Sequence, residues 1–231
     1  MKLQRRYRPV INIKTPTDAK LMPVTGETAE ERLANCLPLF DTPGQQYVER
    51  RGISVDIAHD AGVRYDPHWN GRPAVIVPMR GLHRELCSLH GRYLMQAGHQ
   101  NKMLTIGPGG GILSINEAIN SEIVIIVEGL FDALSLALCG YDSLATVGRV
   151  APWLPQVCKG KTVFLAFDGN YAGDMVAKFY EQFLEGATSY RLAPPEHDKD
   201  WNSALLKRGR IAVVQWLRYS MRRATTSKTI R

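Results

Sequence analysis

The segment EIVIIVEGLFDALSLAL, residues 122–138, decides the fold. Ile123 to Val127 is an unbroken aliphatic run with no polar alternation. Such a run fits a strand covered on both faces, the condition of an inner strand in a parallel sheet. Glu128-Gly129 stops the run, and Phe131 to Leu138 reads as a helix. A buried strand that passes directly into a helix is the first half of a strand–helix–strand unit.

The same alternation continues downstream. Ser143 to Val147 reads as a second strand, Pro152 to Cys158 as a short helix, and Thr162 to Phe167 as a third buried strand. Ala172, Met175, Val176, Phe179 and Phe183 fall on one helical face. Ser189 to Ala193 gives a fourth strand, and Asn202 to about Tyr219 a last helix. The expected fold class is α/β, a parallel sheet of about four strands flanked by helices with right-handed crossovers.

Upstream, the pattern differs. Thr42-Pro43 has the chemistry of a helix cap followed by proline in the first turn, and that helix runs to about Arg51 before Gly52. Ser54 caps a second helix that ends near Gly62. Ala74 to Met79 and Glu85 to Leu89 read as strands joined through Gly81, and Met95 to Gly111 as a loop. The expected organisation is an arm over 1–40 with a short helix at 27–36, a small α+β subdomain over 41–117, the α/β domain over 118–207, and a basic helix and tail over 208–231.

The bulk numbers bound the class. The chain has 231 residues, 45% of them hydrophobic, enough for a packed core. No apolar run is long enough to span a bilayer, and the basic start MKLQRRYRP lacks a secretion signal, so a cytoplasmic protein without membrane contact is expected. Cys36, Cys87, Cys139 and Cys158 form no Cys-x-x-Cys pair, so no zinc site is expected. The net charge of +7, with cations crowded at both ends, suits a polyanionic partner.

The chemistry is read at the strand ends, where open parallel sheets gather ligands. Glu128 follows the first strand, with Asp132 one turn later; Asp168-Gly-Asn170 follows the third; Asp198-Lys-Asp200 follows the fourth. Carboxylates brought together repel, and a divalent cation relieves that repulsion. Mg²⁺ suits them because it takes hard oxygen ligands and joins carboxylates to phosphates.

VEGLFD (127–132) followed by DGNYAG (168–173) resembles the TOPRIM signature, a strand ending in Glu-Gly and a later strand ending in Asp-x-Asp-x-x-Gly. DKDWN (198–202) resembles the acidic pair that follows in primases. YVERRGIS (47–54), RPAVIVPM (72–79) and HGRY (90–93) are similar to the N-terminal half of a bacterial, DnaG-type primase core. The resemblance covers roughly residues 42–207. It implies a TOPRIM, Rossmann-like sheet preceded by a primase-core-like subdomain, and a Mg²⁺- or Mn²⁺-dependent nucleotidyltransferase that makes primers on single-stranded DNA from nucleoside triphosphates. Glu128, Asp168 and Asp132 would be catalytic; Glu128, Asp168, Asn170, Asp198 and Asp200 would hold metal. Arg92 and Lys102 would face template or nucleotide.

Two departures bear on this reading. Asn170 stands where the signature has its second aspartate, which removes a charge and lowers the expected metal affinity. No zinc-binding domain is expected before the core, so a separate zinc-domain or helicase chain is an expected partner, and the compact form suggests a mobile-element protein. The same acidic set also suits a TOPRIM nuclease, or a nucleic-acid-binding module with a weakened metal site. GPGGG (107–111) lacks the Gly-Lys-Ser/Thr ending of a phosphate loop and reads as a turn. Trp153, Trp201 and Trp216 are candidate base-stacking rings, with at least two expected in the core.

Overall fold

The computed structural model describes residues 28–95 and 101–228. Most of the expected N-terminal arm, with its cluster of cations, and the last three residues lie outside them.

The first described element is α1 (Ala29–Ala34), closed by a reciprocal capping box between Thr28 and Glu31. α2 (Pro43–Arg50) starts where its chemistry predicts: the Thr42 side chain accepts from the Gln45 backbone N–H, and Pro43 occupies the first turn. Ser54 caps α3 (Val55–Asp60) in the same way through Ile57.

Four strands then form an antiparallel sheet in the order β1-β2-β3-β4: β1 (Arg64–Trp69), β2 (Arg72–Arg80), β3 (Leu86–Tyr93) and β4 (Met103–Ile106). Sequence reading finds β2 and β3 and misses the two outer strands. β1 carries Asp66-Pro67-His68, and a proline strand is stable only where no second neighbour needs its N–H, as at this edge. Asn70 and Gly71 turn β1 into β2 with φ of 46° and 81°, the left-handed pair of a tight hairpin. β4 occupies the opposite edge, is nowhere fully buried, and shows no apolar alternation. The stretch 95–111 is therefore not a loop throughout.

The second sheet has five strands in the order β5-β7-β6-β8-β9, comprising β5 (Leu113–Ser114), β6 (Ile123–Val127), β7 (Leu144–Ala145), β8 (Thr162–Leu165) and β9 (Thr188–Arg191). β7, β6, β8 and β9 are mutually parallel, as expected. The fifth, β5, pairs antiparallel with β7, so the sheet is mixed rather than wholly parallel. Two residues carry too little pattern to be read from sequence.

Helices α4 (Leu130–Leu138), α5 (Leu154–Cys158), α6 (Tyr171–Phe183) and α7 (Trp201–Lys228) complete the domain. On α6 the buried stripe is Gly173, Ala177 and Tyr180, continued by Leu184, while Ala172 is exposed and Val176, Phe179 and Phe183 only flank it. The apolar face is thus rotated from the expected one, and Gly173 brings the first turn of the helix against the backbone of Asp168 in the loop after β8. α7 runs past the expected end and is broken at Gly209, whose φ of 78° and ψ of 165° are not helical.

Six consecutive buried residues on β2 show that both of its faces are covered. Ile76 and Ala74 pack with Trp69 and Leu89 on one side. Val75, Val77 and Met79 join the cluster that contains Val124 to Val127 on the other, so one apolar core bridges the two sheets.

Candidate active site

The topology places a crevice. From β6 the chain crosses to β7 on one side; from β8 it crosses to β9 on the other. β6 and β8 are neighbours, with Ile126 opposite Leu165. Chain crossovers that diverge from adjacent parallel strands leave an opening at their carboxyl ends, the usual ligand position in open α/β sheets. Glu128 follows β6 and Asp168 follows β8, so both flank that opening.

A cavity of about 390 Å³ lies there, lined by Glu128, Asp132, Asp168 and Asp200 together with Arg51, His90, Arg92, Lys102 and Lys199. Four carboxylates therefore share one space with five basic side chains. Of the acids, Glu128 and Asp168 follow β6 and β8, Asp132 lies on α4, and Asp200 immediately precedes α7. His90, Arg92 and Lys102 come from β3 and the segment leading into β4, and Arg51 from the end of α2.

The backbone around Asp168 is held tightly. Arg191, on β9, donates to the carbonyls of Leu165 (3.2 Å), Phe167 (2.8 Å) and Asp168 (2.5 Å), and its Nε bonds Asp174 at 2.9 Å. Gly169 N–H donates to the Lys199 carbonyl at 2.7 Å, joining the loops after β8 and β9. A Cβ on Gly173 would stand 2.1 Å from the Asp168 carbonyl oxygen, so only glycine lets α6 start this close. Glu128 is fixed by its carbonyl, which accepts from Val147 N–H at 2.7 Å. Val147 itself has φ of 50°, a strained conformation for a β-branched residue, at the lip of the cavity.

Asp132 lies deepest. Its Oδ1 accepts from the backbone N–H of Trp201 (3.0 Å) and Asn202 (3.2 Å). Burial, with the negative charges of Asp200 and Asp168 behind it, pushes its carboxyl up to about 7 despite those bonds. Burial also raises Glu128, as does the charge of Asp168, while Lys199 opposes both. Asp168 is raised for the same first reason, with Lys199 and Arg191 opposing. Lys199 Nζ stands 4.0 Å from the Asp200 carboxylate. His90 is buried, bonded through Nδ1 to Thr105 Oγ1 at 2.8 Å, and pushed down to about 4 by burial and by the positive charges of Arg149 and Arg92. It faces the cavity as a neutral ring at pH 7.

Residues 125–205 match the family model described as Toprim-like. This segment is a Toprim-like domain. It begins within β6, ends in α7, and so contains every acidic residue of the crevice. No curated protein sequence matches the chain. Among solved structures, a fragment of the Aquifex aeolicus primase with its zinc-binding and RNA polymerase domains superposes with a TM-score of 0.66 at 18% identity, over 84% of this chain and 62% of that one. A DnaG primase catalytic domain bound to single-stranded DNA gives 0.65 at 18% identity, over 83% and 77%. The Escherichia coli primase catalytic core gives 0.64 at 18% identity, over 83% and 79%. The fold is therefore that of a primase catalytic core, and the chain spans 62% of the length of the Aquifex fragment.

Within the Toprim-like domain, Glu128, Asp132, Asp168 and Asp200 meet, and Arg92 and Lys102 join them from the other sheet. Asn170 and Asp198 do not line the cavity. Asn170 caps α6, its side-chain oxygen accepting from Gly173 N–H at 2.9 Å. Asp198 is buried and paired with Arg208 and with Lys207, the latter at 3.1 Å. Asp200 also accepts from Ser203 N–H at 2.7 Å and so caps the first turn of α7.

Arg51, His90, Lys199 and Asn202 are lining residues that sequence reasoning missed. Asn202 bonds the Arg51 carbonyl (2.8 Å) and Ser135 Oγ (3.1 Å), and accepts from Arg51 Nη1 at 3.3 Å, which ties α2 to α7. Arg51 also lies over the Phe131 ring at 4.9 Å. The motifs YVERRGIS, HGRY and DKDWN contain all four, but nothing in the spacing shows that these positions face the same space. Trp201 is buried with its Nε1 donated to the Ala166 carbonyl at 2.8 Å, and Trp153 and Trp216 also spend their N–H groups on backbone carbonyls. Trp201 is thus a core ring. Gly107 and Gly111 serve close packing: a Cβ on Gly107 would stand 2.8 Å from the Cys87 carbonyl oxygen and one on Gly111 2.7 Å from that of Met79.

Proposed function

We propose that this chain is a primase-like nucleotidyltransferase core that extends a primer on a single-stranded DNA template, dependent on Mg²⁺ or Mn²⁺. The observation that carries the reading is the shared cavity. Carboxylates at the ends of β6 and β8 face cations from the preceding antiparallel sheet, so one space offers both a divalent-ion environment and a triphosphate environment.

The donor set fits a hard divalent ion. Glu128, Asp168 and Asp200 bring carboxylate oxygens whose mutual repulsion already raises the first two, and a cation removes that cost. Among the described residues no three His, Cys, Asp or Glu side chains converge as a ready metal-binding group. Mg²⁺ or Mn²⁺ would be held by one or two of the crevice carboxylates, with water and nucleotide phosphates completing the ligands. The ion would supply charge stabilisation at the phosphates.

The protein's own groups do the rest. Arg51, Arg92, Lys102 and Lys199 attract and orient the triphosphate. Glu128, raised by burial and by Asp168, accepts the proton of the primer 3′-hydroxyl as that oxygen bonds to the α-phosphorus and pyrophosphate departs. Asp132, deep behind it, holds the start of α7 and therefore the position of Asp200.

A second reading has its own support. Asn170 brings no charge and Asp198 is neutralised by Lys207 and Arg208, so the crevice holds fewer free carboxylates than its motifs promise. A nucleic-acid-binding module with a weakened metal site fits that fact. The deciding experiment supplies a single-stranded template, labelled nucleoside triphosphates and Mn²⁺ or Mg²⁺, with candidate zinc-domain or helicase chains added in parallel. Primer products that vanish in Asp168→Asn support the enzyme; template binding without product in any mixture supports the module. Cleavage of the labelled template without nucleotides would support a nuclease instead.

A further inference from the structure

The last helix carries a charge pattern that the crevice does not use. From Trp201 to Lys228, α7 contains seven lysines and arginines and no aspartate or glutamate. Lys207 and Arg208 are spent on Asp198. Beyond the break at Gly209, Arg218 and Arg222 stand four residues apart on one exposed stripe, flanked by Gln215, Tyr219 and Thr226, and together these line a shallow groove. Among the described residues neither Arg218 nor Arg222 has a carboxylate within ion-pair distance.

That arrangement works against the helix alone. Like charges at i and i+4 destabilise it. The helix dipole rewards cations only in the last turn, and Arg218 lies ten residues before Lys228. An external anion would relieve the repulsion. Tyr219 adds a second feature: it is 56% exposed, and the neighbouring Trp216 ring, 6.3 Å away, is anchored by its bond to the Ala193 carbonyl. Guanidinium groups beside an open aromatic ring match the backbone and bases of an unpaired strand.

We propose that the Arg218–Arg222 stripe of α7 is a second contact for single-stranded nucleic acid, outside the crevice, with the two arginines on phosphates and Tyr219 stacked on a base. The inference rests on the proposed function only for the class of partner. The first half of α7, before the break at Gly209, begins at the crevice, where Asn202 lines the cavity, and the second half carries the stripe.

The test is the salt dependence of binding, read by anisotropy of a labelled oligothymidylate on the full chain. Each phosphate contact contributes roughly 0.7 to the slope of log affinity against log salt for a single strand. Arg218→Gln with Arg222→Gln should lower that slope by about 1.4 and weaken binding at low salt by at least about tenfold. Tyr219→Ala should weaken binding severalfold with the slope unchanged. Glutamine is a good helix former, and circular dichroism of each variant confirms that α7 is retained. An unaltered slope in the folded double variant overturns the proposal, as does equal competition by polyglutamate at matched charge, which would mark the stripe as a surface for acidic protein. Asp168→Asn serves as the control. If wild type makes no primer but the slope still falls in the double variant, the proposed activity fails and this surface stands.

Discussion

The Asp132 carboxylate accepts from the backbone N–H of Trp201 at 3.0 Å, across 69 residues of sequence. The first helix of the Toprim-like domain thereby grips the start of the last one, one residue after Asp200. Asp132 is buried at the edge of the cavity, and its carboxyl is pushed to about 7 by burial and by Asp200 and Asp168. A raised value means that the native state favours the protonated form. The stabilisation it brings is whole below pH about 4 and is lost as pH rises through 7. Asp132→Asn keeps an oxygen to accept from Trp201 and removes the charge. It should therefore raise stability more at pH 8 than at pH 5, by roughly 2–3 kcal/mol, measured by urea unfolding in EDTA.

His90 has the opposite sign. Its native value of about 4 lies below the ordinary 6.5, so the native state favours the neutral ring. The stability this provides is present above pH 6.5 and is lost as pH falls from there to 4, on the order of 3 kcal/mol in total. In the wild type, Asp132 gains over much of the same window, so the two largely cancel. Urea unfolding of Asp132→Asn between pH 7 and 4 should expose the loss from His90, and addition of a His90→Gln change should flatten it.

How much of this is legible in the sequence follows from what each signal encodes. The run 123–127 and its Glu128 ending are decisive because a strand buried on both faces leaves no polar alternation. Thr42-Pro43 and Ser54 fix helix starts because capping is local chemistry. β1 and β4 escape notice because edge strands owe their conformation to one neighbour and not to their own pattern. The carboxylates at the ends of β6 and β8 are found through topology. Asp198 and Asp200 cannot be told apart, since both follow the last strand and only packing shows that Arg208 claims one of them. Arg51 and His90 reach the cavity from outside the five-stranded sheet, a relation that no spacing within the Toprim-like domain encodes.

Lys199 is a cation built into the carboxylate cluster. It stands 4.0 Å from Asp200 and opposes the rise of both Glu128 and Asp168. A divalent ion entering the same space must overcome that charge. Lys199→Met should tighten Mn²⁺ binding by about three- to tenfold, read by titration calorimetry without nucleotide, while loosening nucleoside triphosphate binding. An unchanged Mn²⁺ affinity would show that the ion does not approach Lys199.

Gly173 sets how closely α6 meets the loop after β8. A methyl group there would stand 2.1 Å from the Asp168 carbonyl oxygen, and backbone cannot yield as a flexible side chain does. Gly173→Ala should cost about 2 kcal/mol or more and should also weaken Mn²⁺ binding, because the helix can relax only by moving the Asp168 backbone. Chemical denaturation and calorimetry on the same sample separate the two effects.

Asp198 separates a structural carboxylate from a metal-binding one. Its side chain is 2% exposed and joins Arg208 and Lys207, which are 42% and 59% exposed. Burial pushes its carboxyl up, but those two partners outweigh burial and hold it below the ordinary range. The stability it gives is therefore present above its ordinary value near 4 and lost as pH falls through the depressed one. Asp198→Asn should cost about 1–3 kcal/mol at pH 7, since the two cations can recover water, and the penalty should shrink below pH 3. Its Mn²⁺ affinity should stay within about twofold of wild type, whereas Asp168→Asn should lose tenfold or more. A large Mn²⁺ loss in a well-folded Asp198→Asn protein would mean that the ion draws Asp198 away from Arg208 and into the crevice.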